Sequence, residues 1–171
     1  MTPTISTARL TLRPLTKATP RQVGWLNDAE VVRYSEQRHR EHTLYSQTSY
    51  INLFLDKSHL WGIHLVETDE HIGNLSAMHD TPNNVSDIGI MIGETKHWGS
   101  GFGGEAWAAA CGWLLDKDGG GIRKLEAGCM RPNEAMLKII RGSGFTQEGE
   151  RLNHFLLNGS PVSAVLFGRA R

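Results

Sequence analysis

Three consecutive stretches decide the fold of this chain: DIGIMIG (Asp87–Gly93), ETKH (Glu94–His97) and WGSGFGG (Trp98–Gly104). The first is apolar, β-branched and bounded by glycine, which predicts a buried strand. The residues that follow, Glu105–Leu115, place apolar side chains and alanines at helical spacing, which predicts a helix. Backbone N–H groups in the intervening glycine-rich loop can approach a ligand closely. Because such a loop leads into a helix N-terminus, the pattern predicts an anion site, most simply for a phosphate-bearing ligand.

Two familiar phosphate loops fit this stretch poorly. A Walker-type loop requires a closing Gly-Lys-Ser/Thr, which the run lacks. Gly99, Gly101 and Gly104 do match the dinucleotide pattern G-x-G-x-x-G, but that pattern should follow its strand directly, and Glu94–His97 intervenes. The acidic residue at a suitable distance, Glu126, lies inside the next apolar run rather than at its end. With 19 glycines in the chain, a chance match is unsurprising.

A family resemblance accounts for the stretch better. Trp98–Ala106 resembles the coenzyme A loop of the GNAT superfamily of acyl-CoA-dependent N-acetyltransferases, whose pattern is Gln/Arg-x-x-Gly-x-Gly/Ala. Gly101 and Gly103 match, and Trp98 stands where Gln or Arg is usual, as in the branch resembling ribosomal-protein N-terminal acetyltransferases. Four more segments resemble parts of that branch in the same order: Thr7–Leu15, His71–Leu75, Asn133–Ala135 and Gly144-Phe145.

The remaining pattern predicts an α+β fold in which strands outnumber helices. Predicted strands and hairpins are Leu10–Arg13, Leu60–Val66 with His71–Met78, Leu125–Met130, and Phe155–Leu157 with Val162–Phe167 around an Asn158-Gly159 turn. The first predicted helical region is Thr19–Tyr34, which Asn27-Asp28 breaks into two short helices. A second helix is predicted from Thr43 to about Leu55, and its candidate core positions are Leu44, Tyr50, Ile51 and Leu55. A further helix begins at Asn133 and ends at Gly142 or Gly144. This order favours a mixed, mostly antiparallel sheet with one parallel pair.

The resemblance implies the GNAT version of that architecture. It has a splayed central parallel strand pair, centred here on Met91 and Ala127, and about four helices, in a single domain over residues 1–171. The pantetheine arm of acetyl-CoA, the implied co-substrate, enters the gap between the splayed strands.

Bulk composition excludes several other classes. A chain of 171 residues with 39% hydrophobic content suits one globular domain with a core. Eighteen basic residues balance eighteen acidic ones, so no basic excess points to nucleic acid, and the low net charge permits a homodimer. Met1–Arg9 does not resemble a signal peptide, and the longest apolar stretch, Ala106–Leu115, is too short to cross a membrane. Cys111 and Cys129 make an unpromising disulfide framework, which favours the cytoplasm.

The resemblance also implies which residues contact coenzyme A. The pantetheine amides pair with the backbone of the central strand, where an N–H group can polarise the thioester carbonyl, and the diphosphate lies on the glycine loop. The expected contacts are Ile90, Met91, Ile92, Trp98, Gly99, Ser100, Gly101, Phe102, Gly103, Gly104, Asn133 and Met136.

Acyl transfer to an amine needs a base, and Asp87 and His79 are candidates because each lies at an end of a predicted strand. The alternative is that Asp87 is an ordinary strand-end carboxylate and His79 an ordinary turn histidine, neither with a role in catalysis. Many family members protonate the thiolate with a fourth-helix tyrosine, but Ile140 occupies that position here, so water is a possible proton source. Asn133 can bind pantetheine or water, cap the helix, or do both. Cys129 is better explained as a small buried hydrophobe than as an acyl carrier.

The acceptor site is expected over the polar segment Ser35–His42, although a solvated loop is the simpler alternative. The candidate substrate-binding residues are Tyr34, Glu36, Arg38 and His42. The overall resemblance favours a protein N-terminus or a small amine as the acceptor. Trp25–Asp28 and Arg33–Arg38 also resemble segments of enzymes that acetylate nucleotide-linked amino sugars, so this acceptor stays open as the alternative. The rival hypothesis is a non-catalytic acyl-CoA-binding domain. None of the eight histidines pairs at metal-ligand spacing with a cysteine or carboxylate, so no metal is predicted.

Overall fold

The computed structural model describes residues 1–54 and 58–171. Its centre is an eight-stranded sheet in the order β1-β2-β3-β4-β5-β6-β8-β7. The strands are β1 Ile5–Ser6, β2 Leu10–Pro14, β3 His59–Leu65, β4 His71–Asp80, β5 Val85–Ile92, β6 Lys124–Met130, β7 Thr146–Leu157 and β8 Ser160–Ala170. β5 and β6 are parallel and the other neighbours antiparallel, which confirms the predicted mixed sheet.

The helices are α1 Pro20–Leu26, α2 Leu44–Asn52, α3 Phe102–Leu115 and α4 Glu134–Gly142, with 3₁₀ turns at Glu36–His39 and Thr95–His97. Their starts follow the expected capping chemistry. Thr19 accepts a hydrogen bond from the Gln22 N–H, with proline in the first turn of α1. Thr43 and Ser46 form a reciprocal capping box at the start of α2.

Several local predictions were wrong. Residues 29–34 form turns instead of a second short helix, because the Asp28 carboxylate accepts the Glu30 N–H and offers the backbone an alternative to the helix. Leu44 is 48% exposed at the outer start of α2 rather than in the core. α3 begins at Phe102, three residues before the predicted Glu105. The predicted core position Leu55 lies outside the described residues.

The sheet separates two apolar layers of unequal size. The larger core lies under α3 and includes Trp61 and Ile63 of β3 together with Trp107 and Leu114 of α3. Because neighbouring residues of a strand face opposite sides, Leu60 points the other way and packs with Ile51 and Phe54 of the α2 region. Functional side chains that project away from α3 therefore lie on the α1–α2 side.

The parallel pair is hydrogen-bonded over only part of its length. Val85, Ser86 and Asp87 pair with Lys124, Leu125 and Glu126, and the ladder stops there. Beyond that point β5 continues along β4 as far as Ile92, whereas β6 continues along β8 as far as Met130. The two central strands therefore diverge, as predicted.

The β7–β8 hairpin closes through Asn158 and Gly159, whose φ angles of 51° and 79° suit the predicted type I′ turn. The two strands are longer than predicted, and their register shifts between Arg151 and Phe155. Within the part of the chain described, no helix is long and apolar enough to span a membrane.

Candidate active site

The glycine loop, Trp98–Gly104, turns the chain from β5 into α3. Gly99 and Gly101 have φ angles of +76° and +84°, a region that disfavours residues with a Cβ atom. Gly101 is the N-cap of α3 and provides no side-chain hydrogen bond to the first N–H groups. These N–H groups, together with the positive end of the helix dipole, can therefore bind an anion.

Arg9 holds this loop against the start of β2. Its Nη1 donates to the Ser100 carbonyl at 3.1 Å, and its guanidinium lies 4.5 Å from the centre of the Phe102 ring. The same guanidinium pairs with Glu105 at 2.7 Å, and the Thr7 hydroxyl donates to Glu105 at 2.6 Å. Because Glu105 neutralises Arg9, the arginine orders the loop more than it adds net positive charge.

The link between β5 and the loop is held by a cluster of ionic side chains around Glu70. The Glu70 carboxylate lies 2.7 Å from the Lys96 ammonium, 3.0 Å from His97 and 3.1 Å from Arg21. Hydrogen bonds from Lys96 and His97 lower the pKa of Glu70 to about 2. Arg21 also contacts Glu94 at 3.1 Å, so the cluster joins α1, the β3–β4 turn and the link.

The glycine loop contacts both the free edge of β5 and helix α4. The Trp98 indole N–H donates to the Ile92 carbonyl at 2.8 Å, so one of the backbone groups expected to bind pantetheine is already engaged within the chain. A Cβ atom at Gly103 would lie 3.2 Å from Ile139 of α4, so glycine permits a close approach of α3 and α4. Asn133 caps α4 by accepting the Met136 N–H at 3.2 Å.

A cavity of about 490 Å³, called here the splay groove, opens where β5 and β6 diverge. Its lining residues include the predicted Tyr34, Glu36 and Asp87. The other polar or aromatic lining residues are Glu126, Cys129, Glu148, Arg151, His154, Phe155 and Phe167. The groove thus combines side chains from the α1–α2 connection with others from four strands.

Asp87 and Glu126 form a carboxylate pair at the point of divergence, because they are register partners in the parallel ladder. Asp87 is exposed at the surface of the groove, but partial desolvation by the groove walls raises its pKa, and the Glu126 charge raises it further. Lys124 lies 3.2 Å from Glu126 and 2.7 Å from Glu148, so both of those carboxylates have a cationic partner. A carboxyl group with a raised pKa is a better proton acceptor in the neutral range than an ordinary aspartate.

A bulge in β7 brings Arg151, His154 and Phe155 to the groove. Within it, Asn153 adopts a φ angle of 53°, which re-aims the side chains on either side. Sequence reasoning placed Phe155 in a predicted hairpin strand and named neither Arg151 nor His154 as a site residue. The Asn-Gly turn signal located the hairpin, but no residue pattern located the bulge.

The structure does not bring His79 into the groove. Its cross-strand partner is Ser86, and its Nδ1 lies 3.1 Å from the Ser86 hydroxyl and 3.2 Å from the Val85 carbonyl oxygen. Because His79 and Ser86 alternate with Met78 and Asp87 along their strands, they face the opposite side of the sheet. The expectation that His79 and Asp87 share one site is therefore corrected.

Arg38 and His42 also lie outside the groove lining. Arg38 donates to the carbonyl oxygens of Ser35 at 2.7 Å and Leu156 at 2.9 Å, and so ties the 3₁₀ turn to the β7–β8 hairpin. His42 is 3% exposed, with its ring nitrogens 3.0 Å from the Gln37 carbonyl and 3.0 Å from the Gln47 side-chain amide. Both residues hold the segment Ser35–His42 in place rather than lining the groove.

Tyr50 is a candidate that sequence reasoning placed in the core. It lines a second cavity, of about 190 Å³, with Ser76 and Gly89. Burial raises the pKa of Tyr50, a shift that the Ser76 hydroxyl opposes and the Asp87 carboxylate reinforces. The phenol therefore stays protonated and can donate a hydrogen bond beside the central strand.

Burial raises the pKa of Cys129 to about 11, which keeps the thiol protonated and disfavours it as a nucleophile. No group of three potential metal-binding side chains occurs among residues 1–54 and 58–171.

Comparisons with solved structures agree with this fold. The ribosomal L7/L12 alpha-N-protein acetyltransferase RimL, in complex with coenzyme A, superposes with a TM-score of 0.84 at 19% identity, covering 98% of each chain. A GNAT-family acetyltransferase from Bacillus anthracis gives a TM-score of 0.80 at 14% identity, again with 98% of each chain covered. The microcin C7 self-immunity acetyltransferase MccE, in complex with acetyl-CoA and AMP, gives 0.77 at 17% identity, covering 96% of this chain and 94% of its own.

At these identities the superpositions show the fold alone. A search of curated proteins gives no match to the sequence. The family profile described as "Acetyltransferase (GNAT) domain" matches residues 9–146, most of the chain. The chain therefore belongs to the GNAT family of acetyltransferases.

Proposed function

We propose that the protein transfers an acetyl group from acetyl-CoA directly to a primary amine bound in the splay groove. The observation that carries this proposal is the Asp87–Glu126 carboxylate pair at the point where the two central strands diverge. Paired carboxylates attract an ammonium group, and the one with the raised pKa can then accept its proton.

The donor side of the proposal rests on the glycine loop and the free edge of β5. The diphosphate of acetyl-CoA binds the N–H groups at the start of α3, and the pantetheine follows the backbone at Ile90 and Met91 into the gap. The thioester then lies near Gly89, a residue that lines both the splay groove and the second cavity. A backbone N–H directed at the thioester oxygen stabilises the oxyanion, an effect worth about 3–4 kcal/mol in enzymes that use such donors.

The chemical step is a direct attack within a ternary complex. Asp87 first takes a proton from the bound ammonium group and releases it to solvent. The neutral amine then attacks the thioester carbonyl carbon and forms the carbon–nitrogen bond, the nitrogen loses its second proton to Asp87 directly or through water, and the carbon–sulfur bond breaks. The coenzyme A thiolate is a good leaving group and takes a proton from water. His79 is left out of this proposal because it faces the other side of the sheet.

Two acceptor classes remain within the proposal, a protein N-terminus or small amine, and a nucleotide-linked amino sugar. The named activity of RimL, an alpha-N-protein acetyltransferase, supports the first class. The AMP bound to MccE supports an acceptor with a nucleotide part, for which the aromatic groove residues Tyr34 and Phe155 offer stacking surfaces.

The test is thiol release from acetyl-CoA across peptide N-termini, polyamines and amino sugars. We expect turnover with at least one class, and Asp87→Asn should reduce kcat by about 10²–10⁴-fold by removing the base. Asp118→Asn, an equivalent change at an exposed residue after α3, is the matched control and should keep full activity. Coenzyme A binding without thiol release from any amine would instead favour a non-catalytic acyl-CoA-binding domain.

A further inference from the structure

The splay groove holds a charged side chain that the proposed reaction does not use. The charged residues of its lining are Glu36, Asp87, Glu126, Glu148 and Arg151. Arg151 is therefore the one lysine or arginine that the described part of the chain contributes to the lining. Deprotonation of an amine needs the carboxylates but gives no reason for a cation, so the role of Arg151 has to be sought in the rest of the acceptor.

Most of the charges in the groove are neutralised within the chain. Three of the four carboxylates have a cationic partner: Glu36 has Arg38 at 2.8 Å, and Glu126 and Glu148 share Lys124 at 3.2 and 2.7 Å. Neither Asp87 nor Arg151 takes part in any ion pair formed by residues 1–54 and 58–171. One negative group and one positive group of the groove are thus left for a ligand.

The strand register places these two groups on the same face of the sheet. Asp87 is the register partner of Glu126, which in turn pairs with Gly168 of β8. Arg151 of β7 pairs with Ala164 of β8. Because Gly168 and Ala164 are separated by an even number of residues, and strand faces alternate with every residue, all of these positions face the same side. A single ligand can therefore contact both Asp87 and Arg151.

Strand geometry also gives the span that such a ligand needs. The reacting amine is proposed to lie near Gly89, in the gap beside Gly128, whose partner on β8 is Leu166. Arg151 lies two strands across from Gly128, about 10 Å, and two residues further along, about 7 Å. The backbones are thus roughly 12 Å apart, and the arginine side chain lies between them, so the ligand must span on the order of 10 Å.

The floor of the groove between these two ends carries no charge. It is formed by Gly128, Leu166 and Ala164, which share the face of Arg151. A Cβ atom at Gly128 would lie 3.3 Å from the Leu166 side chain, so glycine keeps the floor low at this point. A chain of atoms can therefore lie across the floor, and charge is recognised only at its two ends.

We propose that Arg151 determines acceptor specificity by binding a carboxylate of the acceptor, about 10 Å from the amine that reacts. A guanidinium can bind a carboxylate through two parallel N–H groups. One negative charge suits the groove better than the two of a phosphate, because Glu126 and Glu148 share the single cation of Lys124. This inference rests on the proposed function, because it names a further feature of the acceptor of the same reaction.

The proposed span selects among amines. A polyamine has no anion for Arg151, and the amine and carboxylate of a free α-amino acid are too close together. An extended peptide advances about 3.3–3.6 Å per residue, so its third or fourth residue lies about 10 Å from the terminal amine. The carboxylate then has two sources, an acidic side chain near the N-terminus of a peptide and the C-terminus of a tripeptide or tetrapeptide.

The first experiment compares kcat/KM for pairs of acceptors that differ only in the carboxylate. One arm uses alanine pentapeptide amides with glutamate or glutamine at position 2, 3, 4 or 5, and the other compares trialanine and tetraalanine with their amides. We expect the carboxylate to be preferred by about fivefold or more at position 3 or 4, or at the C-terminus, in low salt. The preference should shrink toward unity in about 0.5 M salt, and the arm with the larger preference identifies the source.

Arg151→Gln tests the residue itself, because Arg151 is exposed and glutamine keeps a polar side chain without the charge. We expect the preference to fall to within about twofold of unity. Arg151→Glu should reverse it, so that lysine is favoured over glutamate at the same peptide position. Arg171→Gln, an exposed change after the end of β8, is the matched control and should keep the parent preference. An unchanged preference in Arg151→Gln, or no preference in the parent protein, overturns the inference.

A binding measurement separates this inference from the proposed reaction. Calorimetric titration with the glutamate and glutamine peptides in the presence of coenzyme A requires no turnover. Tighter binding of the glutamate peptide that disappears in Arg151→Gln supports the role of Arg151 even if no amine releases thiol. Equal binding of the two peptides, or no binding of either, overturns that role even if acetyl transfer to another amine is observed.

Discussion

The glycine loop and the splay groove adjoin the same pair of diverging strands, but they are built in different ways. The loop offers backbone N–H groups, and the side chains around it, such as Arg9 and Glu105, are paired with one another. The groove offers side chains from five separate segments, including the Asp87–Glu126 pair. In the proposed function, donor recognition by the loop is therefore local and insensitive to most side chains, whereas acceptor recognition by the groove depends on the assembled fold. Changes on the two sides should therefore have separable effects.

The largest effect on ligand affinity is expected on the donor side. Gly101→Glu replaces a residue at φ +84° with one that disfavours this conformation, and it places a negative charge where the diphosphate is proposed to bind. We expect coenzyme A affinity to fall by at least about 100-fold, equivalent to ~2.7 kcal/mol, as measured by calorimetry.

Gly112→Glu is the matched control, because it makes the same change at an exposed position in α3 with no atom within 4 Å of the added Cβ. It should leave coenzyme A affinity unchanged. If folded Gly101→Glu bound coenzyme A as tightly as Gly112→Glu does, the assignment of the glycine loop to the diphosphate would fail.

The same contrast explains what the sequence could predict. The strand, glycine loop and helix were recognisable because their residues are contiguous and their spacing has a direct conformational meaning. Asp87 was identifiable as a strand-end carboxylate, but its pairing with Glu126 depends on the parallel register. His79 was grouped with Asp87 because both end strands, and the alternation of strand faces separates them.

The acceptor side was less predictable for the same physical reason. Arg151 and His154 reach the groove through a bulge whose position follows from pairing with β8 rather than from a local pattern. Gln22 looked like an ordinary helix residue, but it is 1% exposed, because the atoms that surround it come from distant elements. Burial of a polar group becomes visible only when the whole fold is assembled.

A smaller and more specific effect is expected at the carboxylate pair. Glu126→Gln removes the negative charge that helps to raise the pKa of Asp87, so the Asp87 pKa should fall. Because the base must be ionised, the acid limb of the kcat/KM profile should move to lower pH. The value of kcat/KM at pH values above this limb should change less than its value at lower pH.

Glu41→Gln, at an exposed position before α2, is the control for this charge change and should leave the profile in place. A profile for Glu126→Gln that coincides with that of Glu41→Gln would mean that the acid limb does not report the ionisation of Asp87. Neither variant should alter coenzyme A affinity, so the same pair of variants also tests whether changes in the splay groove leave the glycine loop unaffected.

The smallest effect on function, but a clear one on stability, is expected at Glu70. Its pKa is lowered to about 2 in the folded protein, so the stabilisation is fully present above the ordinary glutamate value and is lost as pH falls through about 2. Glu70→Gln should lower the free energy of unfolding at pH 7 by about 1–2 kcal/mol after solvent screening, with the deficit shrinking below about pH 4.5. Urea unfolding at pH 7, 5 and 3.5 measures this trend against Glu67→Gln, an exposed change in the same turn.

The effect of Glu70→Gln on ligand binding should be small. Because Lys96 and His97 lie in the link that precedes the glycine loop, we expect only a several-fold loss of coenzyme A affinity and no change in acceptor preference. A shift in acceptor preference would show that the two sides are coupled through this link and are not independent.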